Sequence, residues 1–246
     1  MIKDNSITQY FGDNLAKLLA EKIKLVYKDF DDKSYIKNIK EKCKTLGYTK
    51  RIELHADELK KFFPTSYFES VNILSQILGP ENPNEIGMFK EFYWVMPIGK
   101  FVEKYGLDDF DISIKAIEEI TKRNTGEYAI RPFIRKYPEK TIKIMQKWSK
   151  SNDFHLRRLA SEGSRPKLPW STKLDTFIEN PQLVFQILEN LMEDDIKFVR
   201  KSVANNITDY LKVNKTEAVK FIKKYQKSEN ENTKWILKYA TRKIEI

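Results

Sequence analysis

The sequence predicts an all-α protein built of short amphipathic helices. Its 246 residues include only 8 glycines and 9 prolines, whereas lysine, leucine, isoleucine and glutamate are abundant, and this composition favours helices over strands. Apolar residues recur along the chain with the 3.6-residue period of helices that bury one face. Hydrophobic residues make up 41% of the chain, which is enough to bury a substantial core. We find no convincing strand or hairpin signal.

The first part of the chain is predicted to form a series of amphipathic helices. Asp32 or Ser34 is the expected N-terminal cap of the second helix. Gly47 ends that helix, and Pro64 ends the next one. The predicted helical stretches are 7–27, 32–46, 52–63 and 66–78.

A cluster of proline and asparagine at residues 80–84 marks a surface loop. A subdomain joint is therefore possible near residues 79–86, although we expect residues 1–246 to form a single domain. The aromatic-rich stretch that follows, residues 89–101, is more typical of a buried core than of a nucleic-acid stacking surface. Further helices are predicted at 109–123, 127–148, 153–162, 172–178, 180–191, 195–211, 215–226 and 230–244.

The second half of the chain repeats itself weakly. Residues 156–162 align with residues 199–205 at an offset of 43, and residues 199–205 align with residues 236–242 at an offset of 37. Helix pairs spaced about 40 residues apart are typical of HEAT-type repeats, which stack into a curved superhelix. We therefore predict HEAT-like helical repeats whose second helices line one concave, cationic groove.

Positive charge is concentrated in a short part of the chain. The formal net charge of the whole protein is +10. Residues 131–170 contain eleven lysines and arginines against three acids, a local excess of +8. Such a focused basic field indicates an acidic partner, most often nucleic acid or an anionic membrane surface.

The stretch 153–170 is predicted to begin as a helix and to end as a basic loop. Arg158 and Glu162 lie four residues apart and share one helix face, and Gly163 is the expected end of that helix. The loop that follows is stiffened by two prolines and closed by Trp170. Spacing alone leaves two interpretations open. One is a solvated salt bridge beside a packed loop. The other is a functional site in which the cations bind an anionic polymer and the carboxylate lies near a positive charge that develops during a reaction.

Three carboxylates map onto the predicted groove. Glu162 aligns with Asn205, Asp209 lies one helical turn beyond Asn205, and Glu127 opens the predicted helix 127–148. Acids inside a cationic groove repel phosphates, so their presence there favours a role beyond DNA affinity. The simpler alternative is that Glu127 and Glu162 pair with arginines of their own helices and that Asp209 is a surface acid.

The scarcity of cysteine and histidine disfavours several classes of site. Cys43 is the only cysteine, so neither an internal disulfide nor a cysteine-based metal site is possible. His55 and His155 are the only histidines, and neither has the HxxxH or HExxH spacing of zinc enzymes. A Ser-His-Asp hydrolase is equally improbable, and we predict no metal site.

The sequence predicts no membrane segment. The N-terminus lacks the apolar region of a signal peptide, and no run approaches the roughly 18 apolar residues that a membrane span needs. We therefore expect a soluble, cytoplasmic protein.

Five motifs are spread along most of the chain: YFG (10–12), FVEKYGL (101–107), GEYAIRPF (126–133), RRLASEGSRPKLPW (157–170) and FVRKSVANNITDY (198–210). Together they resemble the AlkC branch of the AlkC/AlkD-type DNA glycosylases, and the SEG-x-RP-x-LPW pattern is long enough to be specific. The resemblance implies a HEAT-like helical protein, monomeric and without a metal or cofactor. It also implies removal of alkylated bases, notably 3-methyladenine, from duplex DNA by hydrolysis of the N-glycosidic bond.

The resemblance further implies a role for each of the three acids. In this branch, carboxylates that match Glu127, Glu162 and Asp209 lie close to the lesion. We expect Asp209 and Glu162 to stabilise the positive charge that develops on the deoxyribose and to orient or deprotonate the attacking water. The residues expected to hold phosphates or to lie beside the lesion are Arg131, Arg135, Arg158, Arg165, Lys167, Trp170, Arg200, Lys201 and Asn205.

Two features depart from the family pattern. The sequence stops at Ile246 straight after a predicted helix, so we expect it to lack the C-terminal immunoglobulin-like domain of some relatives. Gly126 stands where the pattern SEFAIRP has serine, which removes a possible helix cap. The preference among 3-methyladenine, 3-methylcytosine and 1-methyladenine stays open.

Two alternative functions also stay open. The first is a non-catalytic HEAT-repeat module that recognises damaged or distorted duplex DNA without cutting it. The second is a protein-interaction scaffold, which does not require the basic cluster. Three acids within the basic groove favour the glycosylase.

Overall fold

The structure, a computed structural model, describes residues 7–87 and 89–244. Within these ranges every regular element is a helix and no strand occurs, which confirms the predicted all-α class. Nowhere in the same residues is a helix both long enough and apolar enough to cross a membrane. The chain forms two compact units: unit 1 lies within Met1–Asn82 and Met88–Thr125, and unit 2 lies within Pro83–Gly87 and Gly126–Ile246.

The division after Asn82 falls inside the loop where the sequence predicts a joint. The single-domain organisation of residues 1–246 stays a prediction.

Unit 1 buries an aromatic core between its helices. Phe30, Phe63 and Phe101 are buried, and the Phe63 and Phe101 rings meet edge to face with centroids 6.0 Å apart. The aromatic-rich stretch 89–101 contributes Trp94 and Phe101 to the buried residues, as the composition predicts. The α-helices of unit 1 are α1 (Asp13–Val26), α2 (Asp32–Lys42), α3 (Tyr48–Phe62), α4 (Tyr67–Gln76), α5 (Phe89–Phe92), α6 (Met96–Tyr105) and α7 (Phe110–Thr121).

Several boundaries in unit 1 differ from the sequence prediction, and two of the differences have a local structural cause. Helix α2 is capped by Asp31, whose carboxylate accepts a hydrogen bond from the Ser34 backbone N–H, and not by Asp32 or Ser34. The predicted helix 7–27 is interrupted at Gly12, which has an extended backbone (φ −106°, ψ −152°) between a 3-10 helix, Ile7–Phe11, and α1. An extended residue cannot continue a helix, so the chain turns there.

Unit 2 contains the repeated helices of the sequence. Its α-helices are α8 (Ile130–Lys136), α9 (Pro138–Trp148), α10 (Phe154–Gly163), α11 (Asp175–Glu179), α12 (Gln182–Glu189), α13 (Lys197–Val213), α14 (Lys215–Tyr225) and α15 (Glu231–Thr241). The three aligned segments lie on α10, α13 and α15; α10 packs against α13, which packs against α15. Equivalent second helices therefore lie side by side, as the HEAT-like interpretation predicts.

The predicted single helix 127–148 is wrong. Helix α8 begins only at Ile130 and ends at Lys136, and α9 begins at Pro138. Pro138 has no N–H to donate and its ring disfavours the helical conformation of the residue before it, so Tyr137 leaves the helical region (φ −134°, ψ 57°). Glu127 consequently stands in the turn before α8 and does not open a helix.

Gly163 is the last residue of α10 and not a residue beyond its end. A Cβ atom added to Gly163 would lie only 2.8 Å from Cγ2 of Ile130 and 3.3 Å from Cε of Met145. The missing side chain lets the end of α10, with Glu162, lie directly against α8. Close packing between helices, and not a left-handed turn, explains this glycine.

Candidate functional site

Five charged side chains of unit 2 form one connected cluster, which we call the carboxylate–arginine network. Glu127 comes from the turn before α8, Arg158 and Glu162 come from α10, and Arg165 comes from the loop after α10. Asp209 comes from α13. The packing of α10 against α13 therefore brings together acids that are distant in the sequence.

Arg158 joins two of the acids. Its Nη1 atom lies 2.6 Å from Oε2 of Glu127, and its Nη2 atom lies 3.5 Å from Oε1 of Glu162. The guanidinium also lies over the ring of Phe198, 4.9 Å from its centroid. Glu127 therefore pairs with an arginine of another helix, a partner that the predicted pairing within its own segment does not include.

Arg165 bridges the other two acids. Its Nη1 atom donates to Oε1 of Glu162 and its Nε atom donates to Oδ2 of Asp209, each at 2.7 Å. One planar guanidinium thus fixes the separation between the carboxylates of α10 and α13.

Ser202 completes the shell of Glu162. Its hydroxyl donates to Oε2 of Glu162 at 2.6 Å, so both carboxylate oxygens of Glu162 are bonded. Asn206, one turn further along α13, donates to the Ser161 carbonyl at 2.7 Å. Sequence reasoning missed these two residues, although Ser202 and Asp209 are seven residues apart, two helical turns on one face of α13.

Water reaches the network only at its edge. Each of its five side chains is at most 16% exposed, cations and acids alike. An ion pair in which both charged groups are buried adds little net stability to the fold, because the loss of hydration offsets most of the attraction. The solvated surface salt bridge that the spacing left open is therefore not what the structure contains.

Glu162 and Asp209, the two acids that Arg165 bridges, have opposite pKa shifts. Burial alone would raise the pKa of Glu162, but the charges of Arg158 and Arg165 and the Ser202 hydrogen bond outweigh it and lower the pKa below its usual range. Burial likewise raises the pKa of Asp209, and here the single bond and charge of Arg165 do not fully compensate. Glu162 is therefore a fixed negative charge, whereas Asp209 is the acid whose proton affinity is increased.

Asp209 also differs in its unused bonding capacity. Its Oδ2 atom accepts a bond from Arg165, and this is the one hydrogen bond found between the Asp209 carboxylate and the described residues. A carboxylate oxygen that the protein leaves unbonded can accept a bond from a water molecule or contact a substrate.

The loop after α10, residues 164–174, carries the predicted aromatic. We call this segment the Trp170 loop. Trp170 is 94% exposed and has a left-handed backbone (φ 62°). Arg131, by contrast, is 1% exposed and donates only to backbone carbonyls, so its geometry does not support the predicted phosphate contact.

The other predicted DNA-binding residues divide by exposure. Lys167 and Lys201 are exposed, and Asn205 on α13 is half-buried. Arg135 is exposed but bonds Thr172 and Lys173 of the Trp170 loop. Arg200 bonds Asn232 and lies over the ring of Trp235, so it is directed toward α15.

No metal centre is evident in the described part of the chain, since no group of three or more His, Cys, Asp or Glu side chains there is arranged to hold an ion.

Comparison with known proteins places the chain among DNA repair proteins. Residues 98–244 match the model of a family described as DNA alkylation repair enzymes. The uncharacterized protein YhaZ of Bacillus subtilis (strain 168) is 33% identical over 239 residues, which cover 97% of this chain and 64% of YhaZ. A solved structure of the alkylpurine DNA glycosylase AlkC of Pseudomonas fluorescens, bound to DNA containing an abasic site analog, superposes with a TM-score of 0.87 at 31% identity. The similarity covers 96% of this chain and 64% of AlkC, so the chain spans less than two thirds of either relative.

Proposed function

The chain belongs to the family of DNA alkylation repair enzymes, and on that premise we propose that it is a DNA glycosylase acting on cationic alkylated bases such as 3-methyladenine in duplex DNA. The observation that carries the proposal is Asp209, a buried carboxylate whose one hydrogen bond to the described residues is accepted by Oδ2 from Arg165. The reaction is hydrolysis of the N-glycosidic bond, and it needs no metal or cofactor.

The chemistry of the lesion explains why carboxylates suffice. Methylation at N3 makes adenine a cation and therefore a good leaving group, so little acid catalysis is required. As the bond breaks, positive charge moves onto the deoxyribose, which becomes oxocarbenium-like. A carboxylate fixed beside that sugar stabilises the transition state more than the ground state, and it does so most effectively where water is excluded.

The two central acids divide this work. Glu162 has a lowered pKa and two bonded oxygens, so it supplies a permanent negative charge at a fixed position. Asp209 has a raised pKa and a single hydrogen bond to the described residues, so it orients the attacking water and accepts its proton. Glu127 adds negative charge to the same cluster through Arg158.

DNA binding is supported by the exposed cations around the network. We assign phosphate contacts to Lys167 and Lys201, whose side chains are exposed, and contacts with the lesion or its neighbours to Asn205 and Trp170. AlkC of Pseudomonas fluorescens is bound to DNA containing an abasic site analog, which is what remains after a base has been released. Alkylated duplex DNA is accordingly the partner that we propose for this chain.

The proposal is tested by release of free methylated bases from methylated duplex DNA. We expect the wild-type chain to release 3-methyladenine and the Asp209→Asn variant to do so about 100- to 1000-fold more slowly, the usual effect of removing one preorganised electrostatic group. Glu162→Gln should also be slow. Duplex binding, measured by fluorescence anisotropy at several salt concentrations, should stay within about threefold of wild type, because phosphate contacts dominate affinity.

Wild-type protein that binds duplex in a salt-dependent manner but releases no base would contradict the glycosylase. That result would favour the non-catalytic module that recognises damaged or distorted duplex. Release of 3-methylcytosine or 1-methyladenine from defined oligonucleotides would establish which lesions the site accepts.

A further inference from the structure

Arg131 is buried beneath the Trp170 loop, and its side-chain hydrogen bonds to the described residues go to backbone carbonyls. We propose that it is a positioning residue: its guanidinium ties the end of α10 to both limbs of the Trp170 loop and so sets the place of the Trp170 indole relative to Glu162 and Arg165. The proposal rests on the proposed function for its effect on base release, but its structural part can be tested without any activity.

The hydrogen bonds of Arg131 reach three separate points of the backbone. Nη1 donates to the carbonyl of Gly163, the last residue of α10, at 3.3 Å, and to the carbonyl of Arg165 at 2.9 Å. Nη2 donates to the carbonyl of Thr172 on the returning limb at 2.5 Å. One rigid fork therefore joins the helix end, the outgoing limb and the returning limb of the loop.

The environment of Arg131 makes this geometry specific. The side chain is 1% exposed, and its Nε atom lacks a hydrogen-bond partner. Burial and the neighbouring charges of Arg135 and Arg165 lower its pKa to about 10. The charges of Glu127 and Asp209 oppose that shift, but the hydrogen bonds of Arg131 all go to backbone carbonyls. Burying a cation in this way is an unfavourable way to gain stability, so we assign its function to the geometry that it imposes.

The other side-chain hydrogen bonds that hold the Trp170 loop lie nearer to solvent than those of Arg131. Arg135 bonds Thr172, and the Tyr128 hydroxyl donates to the Pro169 carbonyl at 3.3 Å. The base of the loop is closed by the Leu174 N–H, which donates to the Pro166 carbonyl at 3.1 Å. These bonds hold the tip and the limbs, whereas Arg131 is the only described residue that bonds α10 and both limbs.

Trp170 is the residue that needs such a frame. A non-glycine residue rarely adopts a positive φ, and a strained backbone persists only where its surroundings over-determine it. The indole gains little from burial because it is 94% exposed. Its position is therefore set by the limbs of the loop, and these are joined by Arg131.

The Arg131 bonds to α10 and to both limbs of the Trp170 loop, which we call the Arg131 clamp, also act on the carboxylate–arginine network. The carbonyl of Arg165 is bonded by Arg131, and the side chain of Arg165 bonds Glu162 and Asp209.

Loss of the Arg131 clamp would shift Arg165 and Trp170 together. Lys167 belongs to the Trp170 loop, but Lys201 lies on α13 and would keep its proposed phosphate contact. Base release should therefore suffer more than duplex affinity.

The test uses Arg131→Met, Arg131→Lys and the control Arg157→Met in the full chain. Arg157 is a suitable control because it also lies at unit 2, in α10, and donates to backbone carbonyls, those of Ser151 and Asn152, but not to the Trp170 loop. Circular dichroism establishes which variants are folded. Acrylamide quenching of tryptophan emission then reports the Trp170 loop, because Trp94 and Trp148 are buried and Trp235 is half-buried. Subtracting the signal of matched Trp170→Phe variants isolates Trp170.

We expect the folded Arg131 variants to change the quenching of Trp170 and to lower single-turnover base release by about 10- to 100-fold, as misplacement of a reacting group does, with duplex affinity within about threefold. Arg131→Lys should recover part of both signals, since one ammonium cannot span all three carbonyls. Arg157→Met should leave both signals as in wild type.

Unchanged Trp170 quenching in every folded Arg131 variant would overturn the clamp, whatever the activity. If Arg131→Met does not fold, Arg131→Lys decides by the same criterion. A wild-type chain that releases no base would remove the proposed function, and the quenching arm would still decide the clamp.

Discussion

The two units each bury a glutamate among cations, but they do so in different ways. In unit 1, Glu58 is 1% exposed and accepts bonds from Lys42, Lys61 and Asn38 at 2.7, 2.7 and 2.9 Å. Its two lysines are 47% and 57% exposed. In unit 2, the arginines that bond Glu162 are themselves no more than 16% exposed.

The difference separates a structural ion pair from a candidate catalytic one. The lysines of Glu58 keep their ammonium groups near water, so the carboxylate is neutralised without burying its partners. The network of unit 2 buries both signs of charge and leaves Asp209 with a single hydrogen bond to the described residues. An arrangement that is costly in stability and incomplete in its bonding is typical of a functional site.

The largest expected effect that separates the two glutamates is on stability. Glu162→Gln should lower the free energy of unfolding by about 2–3 kcal/mol, because it leaves two buried guanidinium groups short of a negative charge. Glu58→Gln should lower it by less than about 1 kcal/mol, because Lys42 and Lys61 can turn to water. Urea denaturation at pH 7 measures both values.

The pH dependence of these differences has a defined sign. Charges and hydrogen bonds depress the pKa of Glu162 in the folded state, so its stabilisation is present above the unfolded value of 4.5 and is lost as the pH falls through the folded pKa. The difference in the free energy of unfolding between wild type and Glu162→Gln should therefore become smaller at acidic pH. Equal destabilisation by the two substitutions at pH 7 would contradict the distinction between the sites.

A smaller effect is expected at two helical glycines, one in each unit. Gly163→Ala should destabilise the protein by about 1–2 kcal/mol, because its Cβ would lie 2.8 Å from Ile130 and would push α10 from α8. Gly99→Ala in α6 should stabilise it by about 0.5–1 kcal/mol, since its Cβ would make an ordinary 3.8 Å contact with Ile120. Thermal denaturation of both variants checks the opposite signs; a Gly163→Ala variant as stable as wild type, or more stable, would refute the close approach at Gly163.

Most of the fold follows from local patterns in the sequence. Helical periodicity predicts the helices from 153 onward to within three residues at either end, and the offsets of 43 and 37 identify the three helices that pack side by side. The resemblance to the AlkC branch is confirmed by the family model and by the match to AlkC. The break at Pro138 was missed because the apolar period continues through it, although proline at that place disfavours a continuous helix.

The site is less predictable, because its contacts are not local. The pairing of Arg158 with Glu127 and of Arg165 with Asp209 depends on how three segments pack, and spacing along one helix favours other partners. Arg131 looks like a phosphate ligand in a basic sequence, and its burial becomes visible only when the Trp170 loop folds over it. The roles of the acids and of the DNA-binding residues stay predictions.

The smallest expected effect concerns the pH dependence of base release. Burial raises the pKa of Asp209, and the cations Arg165 and Lys212 oppose that rise. Because the reaction needs the ionised carboxylate, the rate should fall at acidic pH as Asp209 takes up a proton. We call this fall in rate the acid limb of the pH profile. Removing a cation disfavours the ionised form of Asp209, so Arg165→Gln should move the acid limb to higher pH. Lys212→Gln should move it the same way but less, because Lys212 is exposed and its charge is screened.

The comparison with unit 1 supplies the control for that measurement. Lys42→Gln removes a cation from Glu58, so it should leave the pH profile of release where it is in wild type. Rates are measured in single turnover, with uncatalysed base loss subtracted at each pH. An acid limb that is unmoved in Arg165→Gln, or displaced to lower pH, would exclude Asp209 as the titrating acid. The proton acceptor would then have to be Glu127, because Glu162 has both oxygens bonded and a lowered pKa.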